Sequence, residues 1–157
     1  MKIEDAIQQK SFANEYEKLV VNLLYTSKWI EYREGQLFRK YDLTLPQYNV
    51  LRILKGQYPE SASVNLLIER MIDKSSNASR IVEKLRKKGF VERKTCPEDR
   101  RRVDVIITEG GMKILKDASE ELKELHGHYA DVISEKEAGK INFLLDTLRT
   151  TKIKNKK

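Results

Sequence analysis

The chain has 157 residues, which is enough for one domain with added helices and too few for two full domains. Apolar residues make up 39% and charged residues 35%, with 7 Gly and 3 Pro, so the composition excludes collagen-like and low-complexity proteins and argues against a turn-rich β-sandwich. The formal net charge of +7 favours a polyanionic partner.

Membrane and export signals are missing from this sequence. An uncharged stretch such as residues 19–24 spans six residues, whereas a membrane helix needs about 18. The first ten residues lack the hydrophobic core of a signal peptide. A single cysteine, Cys96, cannot form an internal disulfide. We therefore expect a cytoplasmic protein with no membrane partner.

The first predicted element is a long amphipathic helix over residues 12–39, within an N-terminal dimerisation region that we place at residues 1–40. Tyr25, Trp29 and Phe38 add aromatic bulk to it. Its apolar positions share one side at helical spacing: Tyr16, Leu19, Val20, Leu23, Ile30 and Leu37. Such a stripe has to be buried against another element or another chain.

Two short helices are predicted at the start of a central domain that we place at residues 41–110. Thr44 is expected to cap the first helix, with Gln47 as its capping-box partner and Pro46 in the first turn. Ser63 is expected to cap the second helix.

A third helix is predicted to start at Asp73 or Ser75 and to end at Gly89, which tolerates a positive φ. Its polar sides carry serine, asparagine and basic residues. Its apolar residues form one narrow stripe: Ala78, Ile81, Val82 and Leu85.

A two-stranded hairpin is predicted next, with strands at residues 90–95 and 103–107 and a turn-like tip that holds Pro97 and three arginines. Helices followed by such a ribbon make a winged helix-turn-helix. We predict a mainly α fold with a small two- or three-stranded β-wing, joined to long dimerisation helices.

The positive charge is concentrated in this central domain. Residues 74–102 hold eleven basic and four acidic residues, which accounts for the whole excess of +7. A charge this localised favours binding to a polyanion. A solvated helix face is the alternative.

The third helix and the hairpin tip carry residue types that bind double-stranded DNA. Hydroxyl groups and a helix N-terminus suit phosphates, whereas Asn77 and Arg80 could pair with base edges. Arginines at the tip suit the narrow minor groove, and Asp99 is interpreted as an acceptor that holds the hairpin or orients a neighbouring arginine. The predicted DNA-binding residues are Ser75, Ser76, Asn77, Ser79, Arg80, Lys84, Asp99, Arg100, Arg101 and Arg102. The alternatives are serines that only cap the helix, a solvated Asn77 and a solvated tip.

The C-terminal region, residues 111–157, is predicted to hold dimerisation helices and a basic tail. Apolar residues over 112–132 are spaced 3, 4, 3, 4, 3, which is a two-position heptad seam: Leu115, Ala118, Leu122, Leu125, Tyr129 and Val132. Ser134 is expected to cap a further helix with Glu137 as its capping-box partner.

The terminal helices are expected to pair two copies of the chain through residues 12–39 and 112–150, with an intrachain hairpin as the alternative. A dimer would place two third helices about 34 Å apart, one turn of DNA. The aromatic residues Tyr16, Tyr25, Trp29 and Tyr48 could line a small-molecule effector pocket between the dimer helices and the winged domain. Plain core packing is the alternative for them.

Two segments, LTLPQYNVLRIL and DKSSNASRIVEKLRKKGFVERKTCPEDRRRVDVIITEGG, resemble the core of the MarR family of bacterial transcription regulators. Asp99 and Arg101 match the D-x-R of that family's wing. The resemblance implies a homodimer on a pseudo-palindromic operator, with Arg101 in the minor groove. We expect a repressor that a small-molecule effector relieves. Asn77 and Arg102 depart from the family pattern, so no operator sequence can be carried over.

Catalytic and cofactor motifs are not found in the sequence, so we expect neither an enzyme nor a cofactor. His126 and His128 are two residues apart on a predicted helix and point to different sides, which does not favour a metal site. The alternative function is a winged-helix module that docks another protein through its basic face. Such a face would carry aromatic anchors, and the third helix has none.

Overall fold

The computed structural model describes residues 1–95 and 103–150. Met1–Ala118 form one compact unit, and a second unit begins at Ser119. The elements before the boundary are α1 (Ile3–Ile7), α2 (Glu15–Arg39), α3 (Leu45–Gln57), β1 (Ala62–Ser63), α4 (Val64–Arg70), α5 (Ala78–Lys87), β2 (Val91–Thr95) and β3 (Val103–Ile107). Helix α6 (Glu109–Gly127) crosses the boundary, and a 3₁₀ turn (His128–Asp131) and α7 (Glu135–Thr150) follow. The predicted mainly α fold with a small β-wing is confirmed.

Helix α3 begins with the predicted capping box. The Thr44 hydroxyl accepts from the backbone N–H of Gln47 at 3.4 Å, and the Gln47 side-chain oxygen accepts from the backbone N–H of Thr44 at 3.1 Å. Pro46 stands in the first turn, where no backbone donor is needed. These bonds satisfy two orphan donors and fix where α3 starts.

The core of the first unit lies where α3, α4 and α5 contact one another. Leu51, Leu67 and Leu85 are each fully buried there. Ser63 caps α4 as predicted, since its hydroxyl accepts from the backbone N–H of Leu66 at 3.2 Å. This packing sets the direction of α5.

Helix α5 starts later than the sequence indicated. The prediction placed its first residue at Asp73 or Ser75, but the helix begins at Ala78 with Asn77 as its N-cap. The cause is local, because Asp73 binds the next two serines in a turn that competes with helical bonding. The predicted end is confirmed, with Gly89 at a φ of 75°.

The sheet has three antiparallel strands in the order β1-β3-β2. Ala62 of β1 and Arg93 of β2 both pair with Val105 of β3. Val105 is fully buried, so the central strand seals the sheet onto the helices. A side chain at Gly111 in α6 would bring a Cβ within 2.1 Å of the Phe90 carbonyl oxygen, so this close approach of helix and strand requires glycine.

The predicted seam over residues 112–132 is only partly correct. Leu115, Ala118 and Leu122 are buried on α6. However, α6 ends at Gly127 and a 3₁₀ turn follows, which leaves Val132 81% exposed. The change of helical geometry breaks the heptad register, so the last members of the seam do not continue it.

The second unit ends in α7 with its predicted cap. Glu137 Oε2 accepts from the backbone N–H of Ser134 at 2.8 Å, and the Ser134 hydroxyl accepts from the backbone N–H of Glu137 at 3.3 Å. The hydrogen bonds from Ser134 lower the pKa of Glu137. Among the described residues, no helix is long and apolar enough to span a membrane.

Candidate nucleic-acid interface

Helix α5 has one buried side and one polar side. Ala78, Val82 and Leu85 are buried against the core, as the sequence predicted. Ser79, Arg80, Lys84 and Lys87 are exposed. The helix therefore presents hydroxyl and basic groups outward from a rigid apolar base.

Asn77 holds the start of this helix. Its side-chain oxygen accepts from the backbone N–H of Arg80 at 2.9 Å. This bond satisfies one of the unpaired donors at the helix N-terminus. The oxygen keeps a second lone pair, and its amide NH₂ group is available for a base edge.

The turn before α5 is organised by one carboxylate. Asp73 Oδ1 accepts from the Ser75 hydroxyl at 2.6 Å, and Asp73 Oδ2 accepts from the Ser76 hydroxyl at 2.6 Å. The Ser75 bond first, and then the Ser76 bond, lowers the pKa of Asp73 to about 2. The carboxylate is therefore charged at every physiological pH.

A cleft of about 280 Å³ lies between the start of α3 and the start of α5. It brings together four of the predicted DNA-binding residues: Ser76, Asn77, Arg80 and Lys84. Thr44, Pro46 and Gln47 form part of the opposite wall. Ser75 and Ser79 are exposed and do not line the cleft.

The basic residues near the cleft differ in how they are paired. Glu83 lies 2.9 Å from Arg86 and 3.3 Å from Arg93, and the Arg86 hydrogen bond is the main reason that the pKa of Glu83 is lowered. In the part of the chain that the structure describes, Arg80 and Lys84 have no acidic partner. Their charge is therefore available to a bound anion.

The strands of the wing are β2 and β3, and β2 lies next to α5. Glu83 of α5 contacts Arg93 of β2, which ties the helix to the wing. The four residues to which the sequence assigned roles at the tip of the wing lie outside the described residues: Asp99, Arg100, Arg101 and Arg102. The single cysteine, Cys96, also lies outside them.

Comparison with known proteins agrees with this geometry. Residues 43–103 match the model of the MarR family, and the match covers α3 to the start of β3. The chain carries a MarR-family domain.

The MarR-family domain has relatives among curated proteins. The chain is 28% identical over 113 residues to the HTH-type transcriptional repressor IacR of Pseudomonas putida, which covers 72% of this chain and 66% of IacR. Three curated relatives, IacR among them, match this chain over 47% to 66% of their own length. All three are named as transcription regulators, and the prediction that this chain is not an enzyme agrees with them.

Solved structures share the fold of this chain. A MarR-like transcription regulator from Bacillus cereus superposes with a TM-score of 0.77 at 20% identity, covering 86% of this chain and 96% of that one. MepR of Staphylococcus aureus, crystallised as a MepR–DNA complex, gives a TM-score of 0.72 at 17% identity, covering 83% and 94%. At these identities the likeness concerns the fold.

The four aromatic residues predicted to line an effector pocket do not meet in one cavity. Tyr25 and Trp29 line a cleft of about 290 Å³ together with Ile3 of α1. Tyr16 is 81% exposed and outside it. Tyr48 is buried and stacks on Phe38 with ring centroids 4.3 Å apart. Helical spacing identified a face of each helix but not which neighbour covers it.

The histidines make local contacts within the second unit. The ring of His126 stacks on Tyr129 at 5.7 Å, and His128 Nδ1 lies 3.6 Å from Asp131 Oδ2. Among the residues that the structure describes, no group of three or more metal-binding side chains comes together.

The role of Asp73 in this site is not among the predictions from the sequence, which place Asp73 only as a candidate first residue of the third helix. An aspartate followed two and three residues later by serines is nevertheless typical of a side-chain-bonded turn. The contribution of Thr44, Pro46 and Gln47 to the wall of the cleft was not predicted either. That contribution depends on how α3 and α5 pack.

Proposed function

We propose that this chain is a sequence-specific DNA-binding regulator of transcription that lays α5 in the major groove. One observation carries the proposal: the exposed side of α5 is polar and basic, while its apolar side is locked into the core. A B-form major groove is about 12 Å wide and accepts one helix. The likeness in fold to a MepR chain crystallised with DNA supports the same docking.

Arg80 and Lys84 supply the affinity in this proposal. Both are exposed, both line the cleft beside the start of α5, and neither is neutralised by an acidic side chain among the described residues. Unpaired cations of this kind bind phosphates and release counterions. Arg80 is also long enough to reach a guanine edge, and Asn77 an adenine edge.

The wing is proposed to add a second contact. β2 and β3 pair as antiparallel strands, and the sequence between them contains Arg100, Arg101 and Arg102. Arg101 is assigned to the minor groove, where the negative potential attracts arginine. Asp99 is assigned to holding the hairpin or orienting a neighbouring arginine.

A homodimer through residues 12–39 and 112–150 is proposed because helices α2 and α7 carry large exposed apolar side chains. In α2 these include Tyr16 and Leu24, which are 81% and 63% exposed. In α7 they include Phe143 and Leu144, which are 68% and 54% exposed. Large apolar side chains left exposed along a helix favour an interaction site there. A two-fold dimer would read an inverted repeat with half-sites about 34 Å apart.

Repression is the proposed outcome of binding, because a dimer that occupies an operator blocks access to the promoter. The name of the related IacR, a transcriptional repressor, supports this direction. An effector is proposed to bind the cleft of about 290 Å³ beside Tyr25 and Trp29. Because α2 belongs to both the cleft and the proposed interface, ligand binding there would shift the population of dimer shapes.

The proposal is tested by selecting bound duplexes from random DNA and then measuring affinity for the selected sequence and for a scrambled duplex of equal composition. We expect an inverted repeat and at least a ~1000-fold preference for it, the lower end for specific binders. Equal affinity for both duplexes would refute the proposal.

Two variants assign the contacts. Arg101→Ala should weaken binding to all duplexes and reduce the salt slope by about 0.9 log–log unit, the value for one phosphate contact. Asn77→Ala should change which bases are tolerated. Asn142→Glu, on the side of α7 away from Leu144, is the control with an altered charge outside the proposed DNA surface, and it should keep the base preferences of the parent protein.

A further inference from the structure

The turn before α5 fixes the polarity of two serine hydroxyls. Asp73 Oδ1 accepts from both the backbone N–H and the hydroxyl of Ser75, at 2.9 Å and 2.6 Å. Asp73 Oδ2 accepts from the hydroxyl of Ser76 at 2.6 Å. A serine hydroxyl has one hydrogen, and an ionised carboxylate has none to donate. Both hydrogens are therefore committed to Asp73.

This commitment does not change across the physiological pH range. The pKa of Asp73 is lowered to about 2, first by the Ser75 hydroxyl and then by the Ser76 hydroxyl. With the carboxylate ionised, Ser75 and Ser76 turn only oxygen lone pairs toward solvent. They act outward as acceptors and not as donors.

A serine oxygen that can only accept a hydrogen bond binds the donor groups of DNA and not its acceptor groups. Phosphate oxygens accept hydrogen bonds and cannot donate them, so oriented serines do not bind the backbone. The donors exposed in the major groove are the amino groups at N4 of cytosine and N6 of adenine. The fixed polarity therefore argues against the phosphate contacts that the sequence suggested for Ser75 and Ser76.

The position of Asp73 supports a role in orientation. Its negative charge stands next to a basic helix and repels the phosphates that Arg80 and Lys84 would attract. Ser76 lines the same cleft as Arg80 and Lys84, and Ser75 is exposed at its side. Asp73 therefore lowers the general affinity for DNA. Its presence beside the cleft is explained if it orients the hydroxyls of Ser75 and Ser76 and so determines which base they recognise.

We propose that Asp73 is a positioning residue for base recognition, which holds Ser75 and Ser76 as acceptors for the amino groups of cytosine or adenine in the major groove. The inference rests on the proposed DNA-binding function. Asp73 touches no base in this account, since it acts through the two serines.

Asp73→Asn tests the proposal with little change of shape. Whichever way the new amide lies, its NH₂ group replaces one acceptor oxygen, so one serine must turn its hydrogen outward. The matched control is Glu69→Gln, which makes the same change of charge at an exposed residue of α4. Thermal melting of each variant checks that the fold is kept.

The readout is base preference, selected from random DNA by the full-length protein. We expect Asp73→Asn to lose about 2- to 10-fold discrimination for an amino-bearing base at one position of each half-site, the range for a single hydrogen bond. Glu69→Gln should bind somewhat more tightly and keep every preference. Base preferences in Asp73→Asn that match those of the parent would overturn the inference.

A second experiment needs no change at Asp73. The selected operator is remade with purine in place of adenine, or 2-pyrimidinone in place of cytosine, at the implicated position, which removes the amino group alone. The parent should lose about 2- to 10-fold in affinity. The Ser75→Ala/Ser76→Ala double variant should bind both duplexes equally. If parent and double variant lose affinity by the same factor, the serines do not read the amino group.

Failure of the proposed function looks different in these experiments. A parent protein that selects no sequence refutes both proposals. A parent that selects an inverted repeat, without any effect of Asp73→Asn or of the amino-group deletion, leaves the regulator proposal standing and removes only the role of Asp73.

Discussion

The central domain and the terminal helices solve the problem of apolar surface in opposite ways. In α3, α4 and α5, the large apolar side chains Leu51, Leu67 and Leu85 are fully buried within one chain. In α7, no residue is buried, and Phe143 and Leu144 are more than half exposed. The central domain can hold its own core, whereas α7 carries an apolar face that a single chain leaves in water. Because of this difference, the folding of the central domain and the proposed association through α7 can be tested separately.

The largest expected effect is on the core of the central domain. Leu51→Ala removes a fully buried side chain between α3 and its neighbours and should lower the free energy of unfolding by about 2–5 kcal/mol. Leu24→Ala, at a 63% exposed position of α2, is the matched control. Its effect should be small at low protein concentration and should grow with concentration. Equal effects of the two changes in dilute protein would contradict the contrast between the two regions.

A second test concerns the junction of wing and α6. Gly111→Ala places a Cβ 2.1 Å from the Phe90 carbonyl oxygen and 2.8 Å from Ile107 Cγ1, so the backbone must move, at a cost of about 1–3 kcal/mol. Gly110 lies in the same helix, and a Cβ added there would lie no closer than 3.6 Å to any neighbouring atom. Gly110→Ala should therefore be neutral or slightly stabilising. Chemical denaturation measures both. Similar stabilities for the two variants would show that α6 does not approach Phe90 and Ile107 as described.

Local signals in the sequence predicted several helix ends correctly. Three of these signals act within a few residues, and the structure confirms each of them. They are the capping box of Thr44 and Gln47, the capping box of Ser134 and Glu137, and the helix end at Gly89. The predicted start of α5 was wrong because the side chain of Asp73 forms hydrogen bonds with residues two and three positions later. These local bonds compete with the backbone bonds of a helix over the same residues.

Features that depend on packing were harder to predict. The aromatic residues expected in one pocket separated because spacing defines a side of a helix but not its neighbour. Tyr48 entered the core, Tyr25 and Trp29 reached a cleft, and Tyr16 stayed in solvent. The cleft between α3 and α5 joins residues 29 to 40 positions apart, and no sequence period predicts that such distant residues lie together.

A third prediction tests the exposed face of α7. Leu144→Glu introduces a charge at a leucine that is 54% exposed in the single chain. It should weaken self-association at least ~10-fold, because burying a charge in a hydrophobic interface costs its hydration. Asn142→Glu introduces the same side chain at an exposed position on the opposite side of the same helix, and it should leave the mass in solution unchanged. Light scattering over a dilution series makes the comparison. If the Leu144→Glu variant associates as the parent does, α7 is not part of the interface.

The smallest expected effect is on acid titration of the turn before α5. NMR should find the Asp73 carboxyl with a pKa of about 2 in the parent, and a value nearer 3.8 in the Ser75→Ala/Ser76→Ala variant. Because the folded pKa is lowered, the bonds stabilise the fold above about pH 4, and this contribution is lost as the pH falls toward 2. Ser79→Ala is the control and should leave the Asp73 pKa unchanged. The same Asp73 pKa in the double variant and the parent would mean that the serines do not donate to it.

The central claim is that two copies of this chain present two α5 helices to successive major grooves. The most direct measurement is the mass of the complex with a duplex that carries the selected sequence, together with the spacing of its half-sites. We expect two chains per duplex and half-sites with centres about 10 base pairs apart. One chain per duplex, or a selected site without two-fold symmetry, would contradict it.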